Sequence, residues 1–280
     1  MRYIWDNDLH IHTHLSTCSK EPAQTPERIL QYAKENNLKT IVLTDHCWNH
    51  SAMQDENWRQ GQDPIHLKRA MWYYAQDLAH VKQSLPLPQA EGIRFLFGVE
   101  TELHNTGLVG MNPEDMEALD FILIPTTHFH MRGFTISQED AASPEGRAKA
   151  WFDRLESLLR QDLPFRKIGL AHLTCTLIAP THEEYLQVLQ MLPDSRLADV
   201  FQTIARLGAG IELNSYDMMF SPEEADIVLR MYRIAKEQGC KFYMGSDAHG
   251  PKALDRAKDI FEHAIDLLEL TEEDKFHIGQ

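Results

Sequence analysis

Seven short apolar runs punctuate the chain, at residues 9–11, 40–43, 94–99, 121–125, 167–171, 210–213 and 241–244. They are rich in Ile, Leu, Val and Phe and end on polar residues, as strands buried on both faces do. Helical patterns lie between them. Thr25-Pro26-Glu27 reads as an N-cap with proline in the first turn, after which Ile29, Leu30 and Ala33 give one apolar face. Between 145 and 159, Ala148, Trp151, Phe152, Leu155, Leu158 and Leu159 fall at helical spacing. Ser221-Pro222-Glu223-Glu224 opens another helix to about Gln238, ended by Gly239, and Pro251 opens the last. Strand and helix alternating in this way predict an α/β fold with parallel strands and right-handed crossovers. No Gly-x-Gly-x-x-Gly turn suggests a dinucleotide fold. The expectation is a distorted (β/α)7 TIM-like barrel of parallel strands, a single domain over residues 1–280. The longest connection, from about 47 to 91, is rich in Trp, His and Gln and carries a helical stretch at about 64–84. It reads as a lid insertion over about 48–91.

Composition narrows the partners. The 280 residues are 43% hydrophobic, enough for a substantial core, and carry 27 basic against 42 acidic residues, a formal charge of −15. That balance argues against nucleic acid or an anionic membrane surface as a partner. An anionic substrate stays compatible, because divalent cations create a local positive pocket inside an acidic protein. Cys18, Cys47, Cys175 and Cys240 are scattered and form no Cys-x-x-Cys, so neither a disulfide framework nor a zinc knuckle is expected. The N-terminus lacks a signal-peptide apolar core, and no apolar run approaches the ~20 residues that span a bilayer. The expected location is the reducing cytoplasm.

The ends of the apolar runs carry the candidate chemistry. They bear Asp8-Leu9-His10-Ile11-His12, Thr44-Asp45-His46, Gly98-Val99-Glu100, Thr127-His128 with Ala171-His172, and Gly245-Ser246-Asp247-Ala248-His249. Side chains at i and i+2 on a strand point the same way, so a His-x-His can grip one ion. Imidazole and carboxylate are ligands for borderline and hard divalent cations. In a βα barrel, chemistry sits at the C-terminal strand ends, where these clusters fall. A multi-metal site follows. Paired cations neutralise a phosphomonoester dianion and hold a metal-bound hydroxide in line with phosphorus, so no side chain need act as nucleophile.

The order and spacing of these motifs resemble the polymerase and histidinol phosphatase (PHP) superfamily of metal-dependent phosphoesterases over nearly the whole chain. The resemblance implies a distorted seven-stranded βα barrel holding two to three divalent ions, zinc, iron or manganese. It implies His10, His12 and Asp247 at a first metal, Glu100 bridging first and second, His128 and His172 completing the second, and His46 and His249 at a third. It also implies a small phosphorylated substrate, with histidinol phosphate the leading candidate. One position departs from the pattern. Many three-metal members have a histidine where this chain has Cys18, six residues after His12. A thiolate suits zinc or iron and fits manganese or magnesium poorly. Cys18 is either a third-metal ligand or a small buried thiol without a role.

Other candidates keep two readings. His14 is a further ligand on a continuing strand, or a loop residue. Asp45 orients a ligand imidazole, or satisfies backbone amides. Arg132, after His128-Phe129-His130-Met131, binds a substrate phosphate as a bidentate guanidinium, or forms a surface ion pair. His130 joins His128 or points away. Asn214 lines the pocket, with Glu212 deeper in the barrel, or both are structural. Glu102 lines the pocket or sits in a loop. Two other classes compete with the phosphoesterase: an amidohydrolase-type metallohydrolase and a non-catalytic metal-binding PHP module. Glu100 after an early strand and His249 after Asp247 favour the phosphoesterase over the amidohydrolase.

Overall fold

The computed structural model describes residues 1–19, 21–51 and 76–280. Seven strands, β1 (Asn7–Ile11), β2 (Thr40–Leu43), β3 (Arg94–Glu100), β4 (Phe121–Pro125), β5 (Ile168–Ala171), β6 (Gly210–Asn214) and β7 (Lys241–Gly245), pair in sequence order, all parallel. The sheet curls into a nearly closed α/β barrel. Its seam between β7 and β1 is bridged by side chains: Asn7 Oδ1 accepts from Met244 N at 3.0 Å and Asp8 Oδ1 from Ser246 N at 2.9 Å. Above them, Asp247 N donates to His10 O at 2.7 Å and His12 N to Ala248 O at 3.2 Å.

The described helices are α1 (Pro26–Glu35), α2 (Leu78–Val81), α3 (Pro113–Glu117), α4 (Pro144–Leu159), α5 (His182–Met191), α6 (Asp194–Leu207), α7 (Ala225–Glu237) and α8 (Pro251–Leu267). Thr25 caps α1 through Arg28 N, and Ser143 caps α4 through Gly146 N. The helix expected from Ser221 becomes regular only at Ala225. Glu224 Oε2 accepts from Ser221 N at 3.1 Å, and Glu224 N donates to Ser221 O at 3.0 Å, so residues 221–224 close a turn of their own. Two helices, α5 and α6, fill the β5–β6 crossover. Residues 52–75, with Trp58, Trp72 and the first part of the expected 64–84 helix, lie outside the described residues; α2 and a 3₁₀ turn over Lys82–Ser84 form its end.

Apolar residues segregate into two layers. The larger lies between sheet and helices and takes in Ile29 and Ala33 of α1, Trp151 and Leu155 of α4, and Phe201 and Ile204 of α6. The smaller fills the barrel interior with Leu9, Val42, Phe121, Leu123, Ala171 and Tyr243, plugged by Phe276. Each large aliphatic buried in these layers contributes about 1.5–3 kcal/mol, so packing rather than helix propensity holds the helices on the barrel. The interior plug also forms a dry floor below the polar residues at the strand ends. Among the described residues, no helix is long and apolar enough to cross a membrane.

Candidate metal centre

Local backbone irregularities aim the donors. The β1–β2 register slips between Asp8 and Ile11, so that Leu9 packs inside the barrel while His10 and His12 both join the donor cluster. His172, just past β5, and Asp247, just past β7, have φ of 34° and 51°. Such left-handed backbone costs a non-glycine residue roughly 1–3 kcal/mol and persists only where the surroundings impose it. Both side chains join the donor groups at the strand ends.

The structure brings eight of the expected ligands into three groups, two of which share His12: His10, His12 and Asp247; Glu100, His128 and His172; and His12, His46 and His249. Within each group the candidate ligand atoms lie within 4.8 Å of one another. Glu100 links the groups. Its Oε2 is 3.0 Å from His46 Nδ1, 3.3 Å from His12 Nε2 and 3.5 Å from His10 Nε2, and its Oε1 is 3.3 Å from His172 Nε2. Asp247 Oδ1 is 3.3 Å from Nε2 of both His10 and His12.

Five imidazoles are held in one tautomer. His10 Nδ1 lies 2.7 Å from Glu212 Oε1, and His128 Nδ1 lies 2.6 Å from Glu102 Oε1. His249 Nδ1 lies 2.8 Å from the Asp247 carbonyl. These partners only accept, so each Nδ1 carries the proton. His12 Nδ1 is 2.9 Å from Ser16 Oγ, whose own hydrogen goes to Asp45 Oδ1 at 2.7 Å. His172 Nδ1 is 3.1 Å from Thr127 Oγ1, whose hydrogen goes to the His172 carbonyl at 3.0 Å. Each Nε2 is thereby left as the nitrogen that can ligate once it is unprotonated. The Nε2 atoms of His10 and His12 lie 3.0 Å apart, close enough to serve one ion. The donor set therefore fits divalent cations.

The electrostatics agree. Burial opposes charge on His10, but Asp247, Glu212 and Glu100 outweigh it and hold the pKa well above the usual imidazole range. His172 is raised to about 9, where hydrogen bonding to Glu100 overcomes burial. Burial pushes Glu100 up, yet His46 and His10 draw it well below the usual carboxylate range, and His10 and His12 do the same for Asp247. The field of the site calls for positive charge at its centre.

Several residues act through these donors. Glu212, fully buried, also accepts from His172 N at 2.6 Å through its second oxygen, tying β1 to β5. Asp45 accepts from Thr13 N, Thr13 Oγ1 and Ser16 Oγ, so it satisfies a backbone amide and reaches the His12 ring only through Ser16. Asn214 Nδ2 donates to Asp247 Oδ2 at 3.4 Å. Asp8 lies outside the donor groups: it accepts from Ser246 N and Tyr32 Oη, and burial lifts its pKa to about 6. Glu102 and Ser16 are buried partners whose role no local motif announces. Cys18 is exposed; partial enclosure raises its pKa, but the nearby imidazoles of His46 and His249 bring it down to about 5. His14 is exposed, its Nδ1 directed to Gln24 O at 3.3 Å, away from the cluster. His130 is exposed with its ring edge-on to His128 at 5.2 Å between centroids. Arg132 is exposed on the same loop, bridged to Ile136.

Known proteins share this architecture. The fold is similar to that of histidinol phosphate phosphatase from Lactococcus lactis, solved with zinc, L-histidinol and phosphate, at 14% identity and a TM-score of 0.51 over 92% of this chain and 93% of that one. It is also similar to a protein assigned as a histidinol phosphatase from Listeria monocytogenes, at 15% identity and a TM-score of 0.55 over 91% and 99%. No curated protein matches the chain by sequence. The PHP domain family matches residues 8–278, from the first of the strand-end clusters to beyond the last, and the chain belongs to that family.

Proposed function

We propose that the protein is a metal-dependent phosphoesterase that hydrolyses a small phosphorylated metabolite, with histidinol phosphate as the leading candidate. The observation that carries this reading is the set of five imidazoles whose Nδ1 atoms are engaged by hydrogen-bond partners while the same residues, with Glu100, Asp247 and His46, make up the three donor groups. Bound divalent cations supply neutralisation of phosphate oxygens and a lowered pKa for a coordinated water. His10, His12 and Asp247 would hold one ion, Glu100, His128 and His172 a second, and His46 and His249 belong to a third.

The chain's own groups do the rest. Glu212, Glu102, Ser16 and Thr127 fix imidazole orientation, so that no ligand needs to reorganise during turnover. The apolar floor of Leu9, Phe121 and Tyr243 excludes water from below and strengthens every charge interaction above it. Arg132, on the loop that follows His128, is the guanidinium we assign to phosphate oxygens. Both histidinol phosphatase structures support the substrate class only through a shared fold.

The test is elemental analysis of protein purified without added metal, run beside phosphate release from histidinol phosphate and from an aryl phosphate. Two to three equivalents of metal, turnover abolished by chelator and restored by metal, and a preference for histidinol phosphate are expected. Full metal content with no phosphate released from either compound would refute the phosphoesterase reading. A protein that binds no metal after reconstitution would refute the metal centre itself.

A further inference from the structure

The pair His128 and Glu102 is carried by loops, not by the sheet. β3 ends at Glu100 and β4 at Pro125, so both residues lie past the last sheet positions. They meet at 2.6 Å, His128 Nδ1 to Glu102 Oε1. His10 and its partner Glu212, by contrast, both lie within strands, β1 and β6. A contact between two loops needs an anchor of its own to hold its geometry.

Arg154 of α4 supplies that anchor. Its Nε donates to Thr126 O at 2.8 Å, its Nη2 to Leu103 O at 2.8 Å and its Nη1 to Thr135 O. Thr126 precedes His128 by two residues, Thr135 follows it by seven, and Leu103 comes directly after Glu102. Thr135 Oγ1 in turn donates to the carbonyl of His128 itself. The guanidinium also lies 5.9 Å from the ring centroid of Phe129, the residue after His128. One planar fork thus meets the chain on both sides of His128 and just beyond Glu102. Arg154 is only 6% exposed, and among the described residues its hydrogen-bond acceptors are these three carbonyls, with no carboxylate in ion-pair reach. Burial pulls its pKa down to about 10, so it stays charged at neutral pH. A buried charge without a counter-ion is a poor device for stability alone, because an apolar side chain packs there at less cost. What the guanidinium adds is the three-way tie.

We infer that Arg154 is a positioning residue of the second metal position: it fixes the loops of Glu102 and His128 against each other and so keeps His128 grouped with Glu100 and His172. The inference rests on the metal-centre reading above and goes beyond it, since Arg154 hydrogen-bonds to none of the donors. A cavity of about 190 Å3 reaches Arg154 and is lined also by Leu103, Thr135, Asp153 and Ser157. None of these is a metal donor, so a solute can reach Arg154 without entering the metal centre.

The experiment is zinc competition against a chromophoric chelator, which resolves the binding steps, with His128→Ala marking the step that belongs to the second position. Arg154→Ala should weaken that step by the roughly 10–100-fold that loss of a supporting partner costs, and leave the other steps unchanged. Guanidinium chloride, added far below denaturing concentrations, should restore the step, and sodium chloride at the same ionic strength should not. Arg154→Lys keeps the charge and the stem but not the fork, so it should lose the same step; it carries the test if the alanine variant fails to fold. Combined with Glu102→Gln, its loss should be less than additive, because both changes act through His128. All steps weakened alike without rescue by guanidinium would assign Arg154 to general stability and overturn the inference. Wild-type affinity in Arg154→Lys, or additive losses in the double variant, would overturn it too. A wild-type protein that binds no zinc would overturn the metal centre, and this inference with it.

Discussion

Replacing Glu212 by glutamine keeps its shape and removes its charge, which makes it a sharp probe of how the centre is held. Both carboxylate oxygens are engaged: Oε1 accepts from His10 Nδ1 at 2.7 Å and Oε2 from His172 N at 2.6 Å. An amide can accept through only one atom. If its oxygen stays on His10, its NH2 meets the His172 N–H, and a buried donor is left unpaired on a residue already at a φ of 34°. If it turns, the NH2 faces His10 Nδ1 and drives that ring into the opposite tautomer, with a proton on the nitrogen that should face metal. Either orientation costs about 1–3 kcal/mol for the lost buried hydrogen bond. A 10–100-fold loss of metal affinity is about 1.4–2.7 kcal/mol, so the two figures describe one effect. Glu212 touches a ligand of the first position and one of the second. Glu212→Gln should therefore weaken both and leave the position built on His46 and His249 unchanged. The assay is zinc competition against a chromophoric chelator, paired with denaturant unfolding of the metal-free protein. Wild-type affinity at all positions together with an unchanged unfolding midpoint would refute the reasoning.

Two further outcomes follow from the same geometry. A Cβ at Gly245 would sit 1.8 Å from Glu212 Oε1 and 2.8 Å from His10 Cβ, so Gly245→Ala should cost at least ~1–3 kcal/mol of stability and lower the metal content. Thermal unfolding and elemental analysis check it, and a variant indistinguishable from wild type would contradict the packing described. Apparent metal affinity should fall as pH drops from about 9, because a protonated imidazole cannot ligate and His172 is held up to about 9 by its hydrogen bond to Glu100 against the opposing effect of burial. Zinc competition across that range checks it, and a flat profile between about pH 6 and 9 would exclude proton release from the site.

The strands were legible because parallel barrel strands are apolar on both faces, and because their polar C-terminal ends coincide with the donor motifs. The ends of β2 and β4 lie where the apolar runs of 40–43 and 121–125 place them. The α5–α6 pair was less visible, although Leu197, Val200, Phe201 and Ile204 carry its spacing. The convergence of His10, His46, Glu100, His128 and Asp247 could be anticipated because each occupies a strand end, and a barrel gathers strand ends on one face. The partners of those residues could not. Glu102 meets His128 from the neighbouring β3 and β4 ends, and Glu212 of β6 meets His10 of β1 only because the sheet closes on itself, a long-range property that local spacing does not encode. Cys18 shows the same limit: its exposure and its two imidazole neighbours depend on how Ser16 and Ser19 fold the loop against Asp45 and His249.

The seam between β1 and β7 has a consequence for synthesis. Asp8 and Ser246, which meet there, are 238 positions apart. His10 and His12 are made long before Asp247 and His249 can arrive beside them. A chain stalled after β6 would present imidazoles but could not close the first or third position. Filling of those two positions would thus come at the end of maturation, and a protein loaded there would be one whose first and last strands have already docked.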